Sequence, residues 1–241
     1  MMCRLFFIYF FFYFPLSFSQ EIDYYDSTNN LTGDDLKIVL HDLINDHVQY
    51  NYATIKDILM QTDSDPANSD NIILMYTGNS INKSNFASLG QLDFWNREHV
   101  WPKSHGNFGP EGDWGELGAN TDAHHLKPVD SSINSIRSNK DFDSGGEIVF
   151  NGDEETNCFV SEFTFEPRDE VKGDIARMIF YMDVRYEGGG LEPDLEVVDY
   201  ISLQENYPSP EMGKLSTLLQ WHIDDPPDDF ERNRNEVIYS W

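Results

Sequence analysis

Cations are scarce in this chain of 241 residues: 16 Lys and Arg stand against 43 Asp and Glu, for a net charge of −27. That balance excludes a broad basic face for polyanions, because phosphate binding of that kind needs clustered Lys and Arg. Solubility or adaptation to salt accounts for the acidity better than an acidic binding role does. Cysteine is nearly missing, with two in all. Cys3 lies in the apolar start of the chain, so loss of that start leaves Cys158 alone and excludes an intrachain disulfide. Cys158 opens the apolar run Cys158-Phe159-Val160 and is expected to be a buried, inert thiol. The run from Leu5 to Phe14 is interrupted by Pro15 and soon followed by polar residues, too short for a membrane span. Glycine recurs at every third position from Gly106 to Gly118, yet the Gly-Lys-Ser/Thr of a nucleotide loop is missing and the periods are too few for a triple helix. This stretch reads as a flexible surface loop whose acidic side chains are peripheral candidates for a cation.

Within residues 1–19, Arg4 is the single charge, the run that follows is apolar and aromatic, and Ser17 and Ser19 offer small side chains at the two positions a signal peptidase reads. A secretory leader cut before Gln20 is therefore expected, with the mature protein secreted or periplasmic and not stably held by a membrane. The composition, 39% apolar and 14% aromatic, suffices for a packed core, and no convincing linker appears, so residues 20–241 are expected to form one domain. A helix is predicted from a cap at Thr32 to about Tyr50, on the stripe Leu36, Val39, Leu40, Leu43, Ile44 and Val48, and a shorter one over 53–61. Strands are predicted over 71–77 and 94–99. Val171, Ile175, Met178, Ile179 and Met182 mark a helix ended by Gly188-Gly189-Gly190, and further helices are expected over 211–223, with Leu215, Leu218 and Leu219 inward, and 228–239. Short strands with segregated helices indicate an α+β fold.

The acidity is uneven. Residues 21–96 hold twelve Asp and Glu against three Lys, whereas residues 97–140 hold six against five Lys and Arg and carry four of the seven His. Two segments there concentrate reactive side chains: Glu98-His99 with Lys103 and His105 nearby, and residues 121–142. In the second, Pro128 is expected to stop a strand-like His124-His125-Leu126, and Asp130 or Ser131 to cap a helix bearing Asn134, Arg137 and Asp141 on one face. A carboxylate and an amide oxygen bind a hard divalent cation and leave its other positions to water and phosphate. An imidazole can take a proton from water, and a guanidinium can hold phosphate oxygens in a fork. Glu98, Asn134, His99 and Arg137 supply these four parts.

The pairing of "WNREHVWPKS", residues 95–104, with "DAHHLKPVDSSINSIRSNKDF", residues 122–142, resembles the endonuclease I family of bacterial nucleases, a branch of the ββα-metal (His-Me finger) superfamily. The likeness continues through residues 166–188 and 213–239, so it covers most of the mature chain. It implies a ββα-metal core surrounded by helices and a non-specific endonuclease that hydrolyses DNA, with RNA as a further candidate substrate, leaving 5′-phosphate ends. His99 would be the general base, and Glu98 and Asn134 would hold one Mg²⁺-like ion, with Mn²⁺ or Ca²⁺ as alternatives. Arg137 would grip phosphate, His124 would support the site, and His125, Lys103 and His105 are candidate supporting or substrate contacts. The resemblance also implies a short tail beyond the last helix, where this chain stops at Trp241. A secreted binding protein that keeps the fold without activity is the alternative, and no protein partner can be inferred.

Overall fold

In the computed structural model, residues 24–87, 90, 92–110, 112, 115–190, 192–202 and 209–241 are described. The expected leader and two acidic residues of the glycine-rich run, Glu111 and Asp113, lie outside them.

Helix α1 (Gly33–Ile44) follows the predicted stripe but ends before Tyr50, leaving Val48 exposed. Asn51 caps α2 (Tyr52–Thr62) by accepting from the Thr54 N–H at 3.0 Å, which satisfies one of the unpaired amides of the first turn. A three-stranded antiparallel sheet follows, of β1 (Ser64–Asp65), β2 (Asn68–Ile73) and β3 (Ser80–Asn82). The strand expected over 71–77 thus starts and stops earlier. Its exposed residues Asn68–Asp70 give no apolar signal, while Leu74, Met75 and Tyr76 leave the ladder for the core, where the Met75 N–H donates to the Pro128 carbonyl at 2.9 Å.

Strand β4 (Trp95–His99) leads through Pro102 into the single turn α3 (Lys103–Gly106), and a buried 3₁₀ turn, Gly118–Thr121, precedes β5 (Leu126–Asp130). The glycine-rich run is not wholly superficial: Phe108 is buried and the Gly109 N–H donates to the Gly115 carbonyl at 2.9 Å. β5 pairs antiparallel with β4 and includes Pro128 opposite Arg97, so proline does not stop it. Both strands of a two-stranded ribbon are edges, where proline is tolerated. Asp130 Oδ1 accepts from the Ser132 N–H at 2.8 Å and caps α4 (Ser131–Arg137) directly after β5. Ser138, at φ 55°, ends α4, so Asp141 is not on that helix but opens β6 (Asp141–Phe142).

β6, β7 (Glu147–Asn151), β8 (Glu154–Val160) and β9 (Thr164–Glu166) form a sheet in the order β6-β9-β8-β7. Helix α5 (Lys172–Arg185) buries Ile175, Met178, Ile179 and Met182, as its spacing predicts, in a core shared with Trp101, Val129, Ile133, Phe142 and Phe165. Cys158 belongs to the same core, and burial pushes its thiol up, so it is the inert group expected. A parallel pair, β10 (Glu196–Val197) and β11 (Glu211–Met212), takes the residues expected to start the next helix; α6 (Leu215–Asp224) begins after it, buries Leu218 and Trp221, and leaves Leu219 exposed. Asp228 caps α7 (Asp229–Tyr239), whose Arg234 reaches inward to the Ala123 and Leu126 carbonyls, both at 2.6 Å, and so pins the segment that carries His124 and His125. The arrangement is α+β, and among the described residues no helix is long and apolar enough to cross a membrane.

Candidate active site

β4 is regular through its last residue, with Glu98 opposite Lys127 and His99 opposite Leu126. Neighbouring side chains on a strand take opposite faces, so Asn96 and Glu98 share one face and Arg97 and His99 the other. The ladder with β5 runs through His99, so the backbone departs from it only after that residue. The pair can meet one group only from two sides of a strand end.

His99 is 8% exposed, and its Nε2 lies 2.9 Å from the Asn120 carbonyl oxygen. A carbonyl only accepts, so Nε2 carries the proton and Nδ1 keeps a lone pair. Burial pushes the imidazole well below the ordinary histidine range, and His125, Lys103 and Arg97 push the same way against the Asn120 bond, so the ring is neutral at pH 7. Its plane stacks on Tyr52 at 5.7 Å between centroids, and His125 meets it edge-on at 5.5 Å. His125 is fully buried, donates from Nε2 to the Ala119 carbonyl at 2.6 Å, and is lowered by burial to about 4. His124, the stronger candidate on resemblance, turns instead toward Tyr181, with ring centroids 4.6 Å apart. Of the two, His125 is the one packed on His99.

On the opposite face Glu98 is 2% exposed, and its Oε1 accepts from the Tyr76 hydroxyl at 2.6 Å and lies 3.2 Å from Arg137 Nη1. Burial raises the carboxyl, against the pull of Arg137 and Tyr76. Asn134, on α4, donates from Nδ2 to Asn96 Oδ1 at 2.7 Å and to the Arg97 carbonyl at 3.3 Å. Those two bonds fix the amide, and neither Asn134 Oδ1 nor Glu98 Oε2 has a donor among the described residues. One carboxylate and one amide oxygen are hard donors that fit a Mg²⁺-like ion keeping several waters. No cluster of three or more His, Cys, Asp or Glu suited to a metal occurs among the described residues.

Three expected substrate contacts fare differently. Arg137 is fully buried: Nη1 donates to the His99 carbonyl at 3.0 Å, Nη2 to the Val100 carbonyl at 2.7 Å, and the guanidinium lies 4.7 Å from the Phe142 ring centroid. Its fork is occupied by the protein and is not presented to a phosphate. His105 is buried as well, with Nδ1 2.6 Å from the Glu211 carbonyl and Nε2 2.8 Å from that of Asn139, so it braces α3 instead of meeting substrate. Lys103 is exposed beside the site. Sequence reasoning missed Tyr76, Asn96 and Asn120. Tyr76 reads as core and Asn120 acts through its backbone, but Asn96 stands two residues before Glu98 and could have been found from strand alternation.

The model of the Endonuclease I family matches residues 32–241. An extracellular ribonuclease of Bacillus amyloliquefaciens is 48% identical over 217 residues, covering 90% of this chain and 70% of the relative. An extracellular ribonuclease of Bacillus subtilis (strain 168) is 46% identical over 216 residues, with the same coverages. The class so defined is a nuclease, a hydrolase of phosphodiester bonds. Within it, the chain belongs to the endonuclease I family.

Proposed function

We propose that this nuclease is a secreted, divalent-cation-dependent endonuclease that cuts RNA and DNA alike, with β4, β5 and α4 as a ββα-metal core inside a single catalytic domain. The observation that carries the reading is the His99–Asn120 hydrogen bond, which leaves a neutral imidazole with Nδ1 as its proton acceptor. His99 takes a proton from the attacking water at Nδ1, while Nε2 stays bonded to the Asn120 carbonyl and keeps the ring from turning. Glu98 and Asn134 would hold the cation, which when bound supplies positive charge for the negative charge that grows on the phosphate and the leaving 3′ oxygen. Arg137 is a positioning residue in this account, fixing the Glu98 carboxylate and the end of β4 together. His125 holds the back of the His99 ring.

Attack by water needs no 2′-hydroxyl, so the mechanism does not distinguish the sugar. The names of the two Bacillus relatives support RNA as a substrate, and their extracellular setting supports secretion. Digestion of single- and double-stranded RNA and DNA across Mg²⁺, Mn²⁺, Ca²⁺ and EDTA tests the reading. All four substrates are expected to be cut with Mg²⁺ or Mn²⁺ and spared in EDTA. Cutting that persists in EDTA, or is confined to RNA, contradicts it.

A further inference from the structure

A chain of net charge −27 has carboxylates available to nearly every cation, and most cations here take one. Among the described residues, Arg137, Arg168, Arg177, Arg185, Arg232 and Arg234 each pair with a carboxylate; Arg97 does not. Lys37, Lys127, Lys172 and Lys214 are paired in the same way, whereas Lys56, Lys83, Lys103 and Lys140 are not. The cations without a carboxylate partner lie on α2 (Lys56), β4 (Arg97) and α3 (Lys103), in the turn after β3 (Lys83) and between α4 and β6 (Lys140).

Two of them, Lys56 and Arg97, lie against aromatic rings. Lys56 Nζ lies 4.5 Å from the Phe86 ring centroid, and Arg97 Cζ lies 5.3 Å from the same ring. Arg97 Cζ is also 3.4 Å from the Tyr52 centroid, and the Tyr52 ring stacks on His99. Tyr52 and Lys56 are one helical turn apart on α2 and so share a face. Beyond His99, Lys103, Ser104, Asn107 and Phe108 line a cleft of about 480 Å³, with the Phe108 ring 6.1 Å from that of His99. Rings hold a cation by their electron-rich faces without neutralising it, so each charge keeps its full attraction for an anion.

We propose that Lys56, Arg97 and Lys103 form a phosphate track for one polynucleotide strand, entering over α2, passing His99 and leaving through the cleft beside α3. The proposal rests on the nuclease reading and names what brings a polyanion to an acidic protein. Long-range repulsion is screened within about 8 Å at physiological salt, so unpaired cations in contact with the strand decide the binding. Arg97, half-buried and on the His99 face of β4, gives one N–H of Nη1 to the Tyr52 carbonyl but, unlike Arg137, has no carboxylate to neutralise it, so it is the guanidinium placed to meet a phosphate there.

The test is binding of a fluorescent single-stranded DNA oligonucleotide in EDTA, followed by anisotropy across a salt series, for Lys56→Gln, Arg97→Gln and Lys103→Gln. Lys37→Gln, which loses a lysine already paired with Asp183 and Glu187, is the control. Each track variant is expected to weaken binding about threefold to tenfold at low salt and to shrink the slope of log K against log salt by about 0.7, the value for one lost phosphate contact on a single strand. Arg97→Lys should restore the slope, which a purely packing role for Arg97 would not require. Slopes equal to wild type in the Lys56 and Lys103 variants, or an equal drop in the Lys37 control, overturn the track. Hydrolysis of the same strand with Mg²⁺ is scored separately: cutting with unmoved slopes removes the track alone, and moved slopes without cutting remove the nuclease reading alone.

Discussion

Arg137 and Glu98 are locked together beneath the strand end, with Nη1 3.2 Å from Oε1 and both groups nearly without solvent. The same guanidinium closes the carbonyls of His99 and Val100, so one side chain fixes the carboxylate and the backbone that carries the base. Removing one member of a buried pair leaves the other charged and unpartnered, which costs about 3–5 kcal/mol. Arg137→Ala should lower stability by that amount in urea unfolding. Arg137→Lys should recover part of it, because it keeps the charge but cannot bridge two carbonyls and a carboxylate. Two variants as stable as wild type would show that the pair does not hold the site together.

The Glu98 and Asn134 oxygens lie on the face of β4 away from His99, and their proposed cation requirement can be read without assuming what His99 does. Glu98→Ala and Asn134→Ala should each raise the Mg²⁺ concentration for half-maximal cleavage by at least about tenfold, the lower end of what loss of an outer partner alone costs a metal site. Calorimetric Mg²⁺ titration of the same variants should show the matching loss of affinity. Full affinity in both would place the ion elsewhere.

His125 predicts a pH dependence of stability. Its folded value of about 4 lies below the usual 6.5, because burial disfavours the charged ring. Between those values the unfolded chain binds a proton that the native chain refuses, so His125 contributes a loss of stability as pH falls from about 6.5 to 4, and nothing further above 6.5. His125→Phe removes that titration while costing a constant amount for the unpartnered Ala119 carbonyl. The deficit of the variant relative to wild type should therefore shrink as pH falls through this window, by at most about 1.4 kcal/mol per pH unit. A deficit that stays constant or grows would contradict the burial account.

The helices were largely legible because their apolar stripes are periodic; α5 lies where Val171, Ile175, Met178 and Met182 predict it. Elements built from polar or short segments were not. β2 starts at exposed Asn68, β5 continues through Pro128, and α4 ends at Ser138 because of a backbone turn that no side-chain pattern announces. Within the site, strand alternation puts Glu98 and His99 on opposite faces of β4. Burial is what the sequence hides: Arg137 and His105 have the chemistry of surface contacts, but their donors face carbonyl oxygens inside the protein. Asn120 was invisible because its contribution is a main-chain carbonyl, which any residue provides.

The central claim is that His99 Nδ1 accepts the proton of an attacking water. It is tested most directly by cleavage of one end-labelled RNA and its DNA counterpart at saturating Mg²⁺, by wild type and His99→Ala, with the chemistry of the product ends determined. The account predicts 5′-phosphate and 3′-hydroxyl ends on both nucleic acids and a fall in kcat of about 10²–10⁴ in the variant, with its circular dichroism unchanged. Undiminished cutting by His99→Ala, or 2′,3′-cyclic phosphate ends on RNA with DNA left intact, would contradict it.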